Sequence, residues 1–469
     1  MWWNPWAGSV SFDVALATHA SAAELARLQA RRLAALLKAA RDGSALYRSE
    51  IGSVDPATMA LGDLPVIGKC ELMHRFDDWV TDPRLRLDEL RRFVKDPTRI
   101  GELYLGQYMV WESSGSSGEP AIFVQCGQAT AVYDALEARR RRVLQPLRRC
   151  FDPLYAMERM AFVGATDGHF ATTVTVRRLR RLNPFMAAGT SSFSFLQPVQ
   201  DLVAQLNEFR PTVLATYPTA ALMLAEEAVA KRLRVQLGEV WTGGEALTPA
   251  MRDFIAQAFG CPVAQSYGSS EFFAMATECR FGALHLNSDW LILESVDEHW
   301  RPVPDGQEGC ISLLTNLANH VQPLIRYDLG DRVTLRDGGC ACGSALPVIE
   351  VQGRVDDSLL LRAQDGLVVR LLPLALTTVL EEEAKVFDFQ IIQQGEQALL
   401  LRVASQGEEG VRQLLCASRA LRRHLEQRGL SSVSIDARSG EASQPGRSGK
   451  LQRVIARHAS PPAANEPVA

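Results

Sequence analysis

An α/β fold is what this sequence predicts, with a large N-terminal part built on a layered sheet and a small α+β unit after it. Three observations carry that expectation. Between Val199 and Ser266, short apolar strands alternate with amphipathic helices, the rhythm of an α/β sheet. From Trp290 the pattern becomes richer in strands. Beyond Gly353, helices are interleaved with strands up to residue 459, which reads as a second compact unit.

The elements follow in order. Ser21-Ala22-Ala23-Glu24 opens a Leu/Ala/Arg pattern running to Ala40, a capped amphipathic helix. Short helices and loops fill Asp55 to Arg92. Tyr108 to Trp111 and Ala121 to Gln125 read as strands, Ala129 to Gln145 as a helix, and Met160 to Thr166 as a strand. Helices are expected at Val199 to Glu208, Thr219 to Lys231 and Pro249 to Phe259, the last with Thr248 as cap and Pro249 at its first position. Strands between them fall at Val213 to Tyr217, Glu239 to Thr242 and Pro262 to Ser266. Leu291 to Glu294, Gly309 to Thr315 and Arg332 to Leu335 follow as strands. In the small unit, Leu372 to Glu382 and Gly410 to Arg428 are helical. Asp388 to Gln393, Ala398 to Ala404 and Ser432 to Asp436 are strands. The Pro/Ala-rich tail 460–469 is expected to be disordered.

Composition bounds the function classes. The chain has 469 residues, 47% hydrophobic and 22% charged, an ordinary globular balance with room for two to four domains. A net charge of −4 provides no basic field for nucleic acid. The basic runs Arg139 to Arg142 and Arg177 to Arg181 read as solvated faces or, alternatively, as docking points for an anionic carrier. No signal peptide is visible at Met1-Trp2-Trp3-Asn4-Pro5-Trp6, and no apolar run is long enough for a membrane span. Nine cysteines, an odd number, fit a reduced cytoplasmic setting. The aromatic N-terminus is a candidate subunit contact, which leaves a homodimer open.

The chemistry gathers around motifs. Glu112-Ser113-Ser114-Gly115-Ser116-Ser117-Gly118-Glu119-Pro120 places four hydroxyls and two glycines in six positions. Such a loop can bring backbone N–H groups and hydroxyls onto phosphate oxygens, although a plain turn has the same composition. It is not a Walker A loop, because no Lys-Ser/Thr pair follows the last glycine. Downstream come Thr242-Gly243-Gly244-Glu245, Ser266-Tyr267-Gly268-Ser269-Ser270-Glu271, Arg326-Tyr327-Asp328-Leu329-Gly330-Asp331, Gly353-Arg354-Val355-Asp356-Asp357 and Gly446-Arg447-Ser448-Gly449-Lys450.

In this order the motifs resemble those of the adenylate-forming superfamily of acyl- and aryl-CoA ligases, most closely its phenylacetate–CoA ligase family, from about residue 20 to about 457. The resemblance implies an N-terminal adenylation (AMP-binding) domain over 1–353, a hinge at 354–357 with Asp356 at its pivot, and a small mobile domain over 358–459. It implies that the loop Ser113 to Gly118 holds the ATP β- and γ-phosphates, and that Glu271 binds Mg²⁺. Tyr267 would stack on adenine, with Ser266, Gly268 and Ser269 lining the same turn. Gly243, Gly244 and Glu245 would run between adenine and the acyl pocket. Asp331 would grip both ribose hydroxyls, Arg354 would lie near ribose and phosphate, and Lys450 would reach the α-phosphate during adenylation.

The implied activity is that of an AMP-forming acid–thiol ligase. A carboxylate, aromatic by the resemblance, attacks the α-phosphate of ATP and displaces pyrophosphate; coenzyme A then takes the acyl group. Catalysis of that kind rests on positioning and charge stabilisation. A carrier-protein thiol or an amine as acceptor is the alternative, and a non-catalytic nucleotide-binding protein is a third reading. Residues near Tyr133, Thr242 to Gly244 and Phe272 are candidate pocket walls. Gly164-Ala165-Thr166-Asp167-Gly168-His169 departs from the glycine-rich pattern expected there for phenylacetate.

A separate cluster suggests a metal. Cys279 is followed by His285, and far downstream by Cys340-Ala341-Cys342-Gly343. Three cysteines and a histidine are a structural zinc set, although the C-x-C spacing is tighter than the usual two to four intervening residues. Three buried reduced thiols are the alternative. Cys70, Cys126, Cys150, Cys261, Cys310 and Cys416 read as packing residues.

Overall fold

The computed structural model describes residues 4–113, 120–141, 144, 150, 157–166, 168–182, 184–195, 197–354, 358–371, 373–441 and 452–456. The chain divides into a larger unit, Met1–Val351, and a smaller one that begins at Gln352.

The larger unit is built from strands β1 (Met109–Glu112), β2 (Ile122–Gln125), β3 (Met160–Gly164), β4 (Thr190–Ser194), β5 (Val213–Thr216), β6 (Glu239–Gly243) and β7 (Val263–Tyr267). These continue with β8 (Ala276–Glu278), β9 (Leu284–Leu286), β10 (Leu291–Val296), β11 (Ile311–Asn316), β12 (Tyr327–Asp328), β13 (Asp331–Arg336) and β14 (Val348–Arg354). A nine-stranded sheet runs in the order β13-β14-β9-β8-β7-β6-β5-β3-β4. Its half from β4 to β7 is parallel, and β7-β8-β9-β14 is antiparallel. β1 and β2 form a separate antiparallel pair, and β10, β11 and β12 a three-stranded antiparallel sheet.

Local sequence explains the parallel half. Apolar strands covered on both faces read as short continuous hydrophobic runs, and the crossover helices Val199–Phe209, Pro218–Val229 and Pro249–Phe259 lie between them in sequence. The last helix starts as expected: Thr248 Oγ1 accepts the Met251 backbone N–H at 3.3 Å, Pro249 takes the first position, and Gly260 ends it in the left-handed region. The helix Ala22–Gly43 carries a full capping box between Ser21 and Glu24. The core takes in Tyr47, Phe76, Trp79, Phe93, Trp111, Phe123 and Phe272, each at most 2% exposed, and burying one such side chain contributes about 1.5–3 kcal/mol.

The smaller unit holds the hairpin β15 (Leu359–Arg362) with β16 (Val368–Leu371). Its four-stranded sheet joins β17 (Phe389–Gly395), β18 (Ala398–Val403), β19 (Ser434–Ser439) and β20 (Val454–Ile455) in the order β19-β18-β17-β20. The helices Pro373–Glu382 and Gly407–Gln427 pack with it, over a core of Phe389, Ile391, Leu399, Leu401, Leu421 and Leu425. Gly353 has φ +114°, a conformation that favours glycine.

Several expectations change. The strands expected after Trp290 are present, but they divide between two sheets: β10 and β11 join β12, whereas β13 and β14 extend the main sheet through β9 and β8. The basic run at Arg139 to Arg142 is not uniformly solvated. Arg140 is buried and grips Asp289 with two nitrogens, at 2.6 and 3.0 Å. Arg178, in the helix Ala171–Leu182, is likewise buried and paired with Asp134. Cys70, Cys150 and Cys416 are exposed rather than packed. The tail 460–469 lies outside the described residues.

Candidate functional site

The site residues collect at the carboxyl ends of β6 and β7, the edge of a parallel α/β sheet where ligands bind. Gly243 ends β6 opposite Ser266 of β7. Tyr267 ends β7, and Gly268 follows it into a tight turn. A Cβ on Gly268 would lie 2.0 Å from the Phe273 carbonyl oxygen, so only glycine fits.

Tyr267 Oη donates to Asp331 Oδ2 at 2.5 Å. Asp331 opens β13, four steps from β7 in the sheet order. At ~4.8 Å per step a flat sheet would separate them by about 19 Å. Their contact therefore means that the sheet coils back on itself, as twisted sheets do.

The turn after Gly268 is tied from several sides. The Ser269 N–H donates to the Phe272 carbonyl at 3.0 Å, and Ser269 Oγ accepts the Phe272 N–H at 3.3 Å. The Ser270 carbonyl accepts from Trp111 Nε1 at 2.8 Å. The Glu271 carbonyl accepts from Asn316 Nδ2 at 3.0 Å, and Glu271 Oε1 accepts from Tyr327 Oη at 3.0 Å. Tyr327 and Asp331 belong to one motif, anchored by Arg326. The Arg326 guanidinium is buried, donates to the Leu64 carbonyl at 2.8 Å and pairs with Glu294 at 3.2 Å. Burial raises the Glu294 carboxyl above its ordinary range, and the Arg326 charge opposes that rise.

Ser113 stands at the mouth of the hydroxyl-rich loop. Its N–H donates to the Ala121 carbonyl at 2.8 Å, and its Oγ accepts the Ala121 N–H at 2.9 Å. The hydroxyl thus closes the loop base. Ser114, Gly115, Ser116, Ser117 and Gly118 lie outside the described residues, as do Asp356 and Lys450. Arg354 ends β14, and its backbone alone is described.

Glu245 turns toward a helix. Its Oε2 accepts the Thr219 N–H at 3.1 Å and the Thr219 hydroxyl at 2.7 Å, which caps the start of Pro218–Val229. Burial pushes the Tyr217 phenol up, and the Glu245 charge adds to that shift. Of the candidate pocket walls, Tyr133 and Phe272 pack edge to face at 4.9 Å, and Thr242 Oγ1 donates to the Ala264 carbonyl at 3.0 Å.

The cysteine–histidine cluster assembles. The ligand atoms of Cys279, His285, Cys340 and Cys342 lie within 4.8 Å of one another. Cys279 Sγ and Cys340 Sγ are 3.8 Å apart; a tetrahedral zinc with Zn–S of ~2.3 Å requires about 3.8 Å. Cys342 Sγ lies 3.3 Å from His285 Nε2. The other ring nitrogen, Nδ1, meets the Leu346 carbonyl at 2.9 Å, which leaves Nε2 for a metal. Backbone N–H groups of Phe281 and Ser344 donate to Cys279 and Cys342 sulfur, each at 3.4 Å. The donor set fits a closed four-ligand zinc site.

Sequence reasoning missed Tyr327, Asn316 and Trp111. Tyr327 lies inside a motif already singled out, so the signal was its position beside Asp331. Asn316 and Trp111 carry none, since their partners are distant in the chain.

Comparison with known proteins gives partial sequence matches and a shared fold. Residues 179–313 match the family described as AMP-binding enzyme. The phenylacetate–coenzyme A ligase of Thermus thermophilus is 31% identical over 170 residues, 34% of this chain and 38% of that protein. Protein CapK of Staphylococcus aureus is 30% identical over 139 residues, 29% of each chain. The matched stretches thus span well under half of these relatives. Among solved structures, 2-hydroxyisobutyryl-CoA ligase in the postadenylation state is similar at TM-score 0.67 and 21% identity, covering 94% of this chain and 91% of that one. It shares the fold, including a C-terminal domain. No helix among the described residues is long and apolar enough to cross a membrane.

Proposed function

We propose that this chain, which belongs to the adenylate-forming superfamily, is an ATP-dependent ligase that joins a carboxylic acid to coenzyme A. One observation carries the reading: the Tyr267–Asp331 pair and the tied turn Ser269–Glu271 meet at the carboxyl ends of β6 and β7. The AMP-binding-enzyme segment, residues 179–313, covers β6, β7 and the turn and ends before Asp331.

The acid's carboxylate oxygen attacks the α-phosphorus of ATP, the bond to the bridging oxygen breaks, and pyrophosphate leaves. The thiol sulfur of coenzyme A then attacks the acyl carbon and AMP leaves. Asp331 accepts from the ribose hydroxyls, and Tyr267 offers its ring face to adenine while its hydroxyl holds Asp331. Gly243 and Gly244 let the chain pass close between adenine and acyl group, beside Ser266, Gly268 and Ser269. The loop residues Ser114 to Gly118 hold the leaving phosphates, and Ser113 fixes the loop mouth. Glu271 is the ligand for Mg²⁺, which offsets phosphate charge when bound. Arg354 serves ribose and phosphate, and Lys450 the α-phosphate. The domain limit near 353, with Asp356 in the hinge, belongs to the same reading.

An aromatic acid is favoured by the aromatic group Trp111, Tyr133, Phe272 and Phe273 beside the turn, with ring centroids 4.9 to 6.4 Å apart. The similar hydroxyisobutyryl ligase makes an aliphatic acid the comparison of choice. Cys279, His285, Cys340 and Cys342 hold a structural zinc, which fits a reducing cytoplasmic setting.

The test is acceptor competition after an acid screen. Enzyme-bound adenylate, formed from aromatic, heteroaromatic or aliphatic acids, is offered coenzyme A and an amine together. Thioester as the main product supports the reading. Amide formation with coenzyme A inert moves the chain to the amide-forming alternative.

A further inference from the structure

We infer that Tyr327 is a positioning residue that sets the metal-binding carboxylate of Glu271, an inference that rests on the Glu271 role proposed above. Tyr327 is 3% exposed, and its ring belongs to the main core. Its hydroxyl nevertheless reaches Glu271 Oε1 at 3.0 Å, on a partly exposed residue of a different sheet region. A buried phenol donor to a carboxylate is a charge-assisted hydrogen bond, shorter-ranged and more directional than packing.

The geometry around it is specific. β12 pairs with β11 through Leu314 and Tyr327, and β11 ends at Asn316, whose side-chain amide holds the Glu271 backbone carbonyl at 3.0 Å. One two-strand ladder therefore fixes Glu271 twice, at its main chain and at one carboxylate oxygen. Trp111, the last residue but one of β1, holds the neighbouring Ser270 carbonyl. A carboxylate has two oxygens with lone pairs on each. With Oε1 engaged by Tyr327, the orientation of Oε2 is set before a cation arrives, and less rotamer freedom is lost on binding.

Tyr327 also precedes Asp331 by four residues in the same motif. Asn316 alone would place the turn; Tyr327 adds the carboxylate's orientation. Its substitution should therefore change how metal and nucleotide bind together and leave the nucleotide's own affinity alone.

The test compares wild type, Tyr327→Phe and Glu271→Gln as full-length proteins. The affinity of a non-hydrolysable ATP analogue is measured by calorimetry without divalent metal and with saturating Mg²⁺, and thermal melts without ligand check the fold. Wild type should bind more tightly with Mg²⁺. In Y327F that gain should shrink about tenfold, the effect of losing one hydrogen bond to a charged group, with metal-free affinity unchanged. A full Mg²⁺ gain in Y327F alongside its loss in E271Q overturns the Tyr327 inference alone. A full gain in E271Q as well overturns the Glu271 role and, with it, the inference. Should Y327F melt below the assay temperature, the titrations of all three proteins are repeated below its melting point, with the same outcomes deciding.

Discussion

The hydroxyl of Tyr267 donates to Oδ2 of Asp331 at 2.5 Å, across a sheet in which β14, β9 and β8 lie between their strands. This contact joins the expected adenine residue to the expected ribose residue.

Removing that hydroxyl should affect ATP alone. Y267F is expected to raise the KM for ATP roughly tenfold, the lower end of the scale for one lost hydrogen bond to a charged group, with kcat and the KM for the acid near wild type. D331N should raise it further. Steady-state kinetics varying ATP and acid separately checks this, and an equal rise in both KM values would contradict it.

The cysteine–histidine cluster should act on the same sheet. His285 pairs with Thr277, and Thr277 with Ser266, the residue before Tyr267. Elemental analysis is expected to find one zinc per chain, lost in C340S. The melting temperature should then fall by roughly 5–10 °C, since structural metal binding is folding free energy. A fully loaded C340S, or zinc-free wild type, would contradict the assignment.

Glu245 should matter to stability first. Its carboxylate caps Pro218–Val229 through Thr219. E245A is expected to cost about 1 kcal/mol, as lost caps do, measured by denaturant unfolding, with the KM for ATP within twofold of wild type. Abolished adenylation at unchanged stability would return Glu245 to the acyl pocket.

Acid should destabilise the fold through His169. The ring is 1% exposed, and burial lowers its pKa against the opposing pull of the Val94 and Arg99 backbone. The unfolded chain therefore binds the proton more readily, so this stability is full above about pH 6.5 and falls as pH drops toward the folded value. Burial lowers His320 in the same sense. Melting temperature should fall from pH 7 to pH 5.5, and the slope should lessen in H169Q. An unchanged slope would remove His169 from the account.

How far the sequence led depended on the range of each interaction. Ser21 with Glu24, and Thr248 with Pro249, act within one turn, so their helices were legible from spacing. The parallel strands were legible because both faces are covered. β8 and β9 have three residues each, too few for a period to register, and so the join of β13 to the main sheet went unseen. Arg140 looked like part of a solvated basic run because its partner, Asp289, lies 149 positions away. The motifs drew attention to Glu271, Tyr267 and Asp331, but the contacts of Tyr327 with Glu271 and of Tyr267 with Asp331 join residues 56 and 64 positions apart, beyond any local pattern.

The central claim is acid-dependent adenylation, and exchange of labelled pyrophosphate into ATP measures it directly. The account predicts exchange that requires both a carboxylic acid and Mg²⁺ and that falls at least a hundredfold in K450A, the scale of losing a group that stabilises charge in the transition state. ATP binding without exchange for any acid across the aromatic, heteroaromatic and aliphatic series would contradict it.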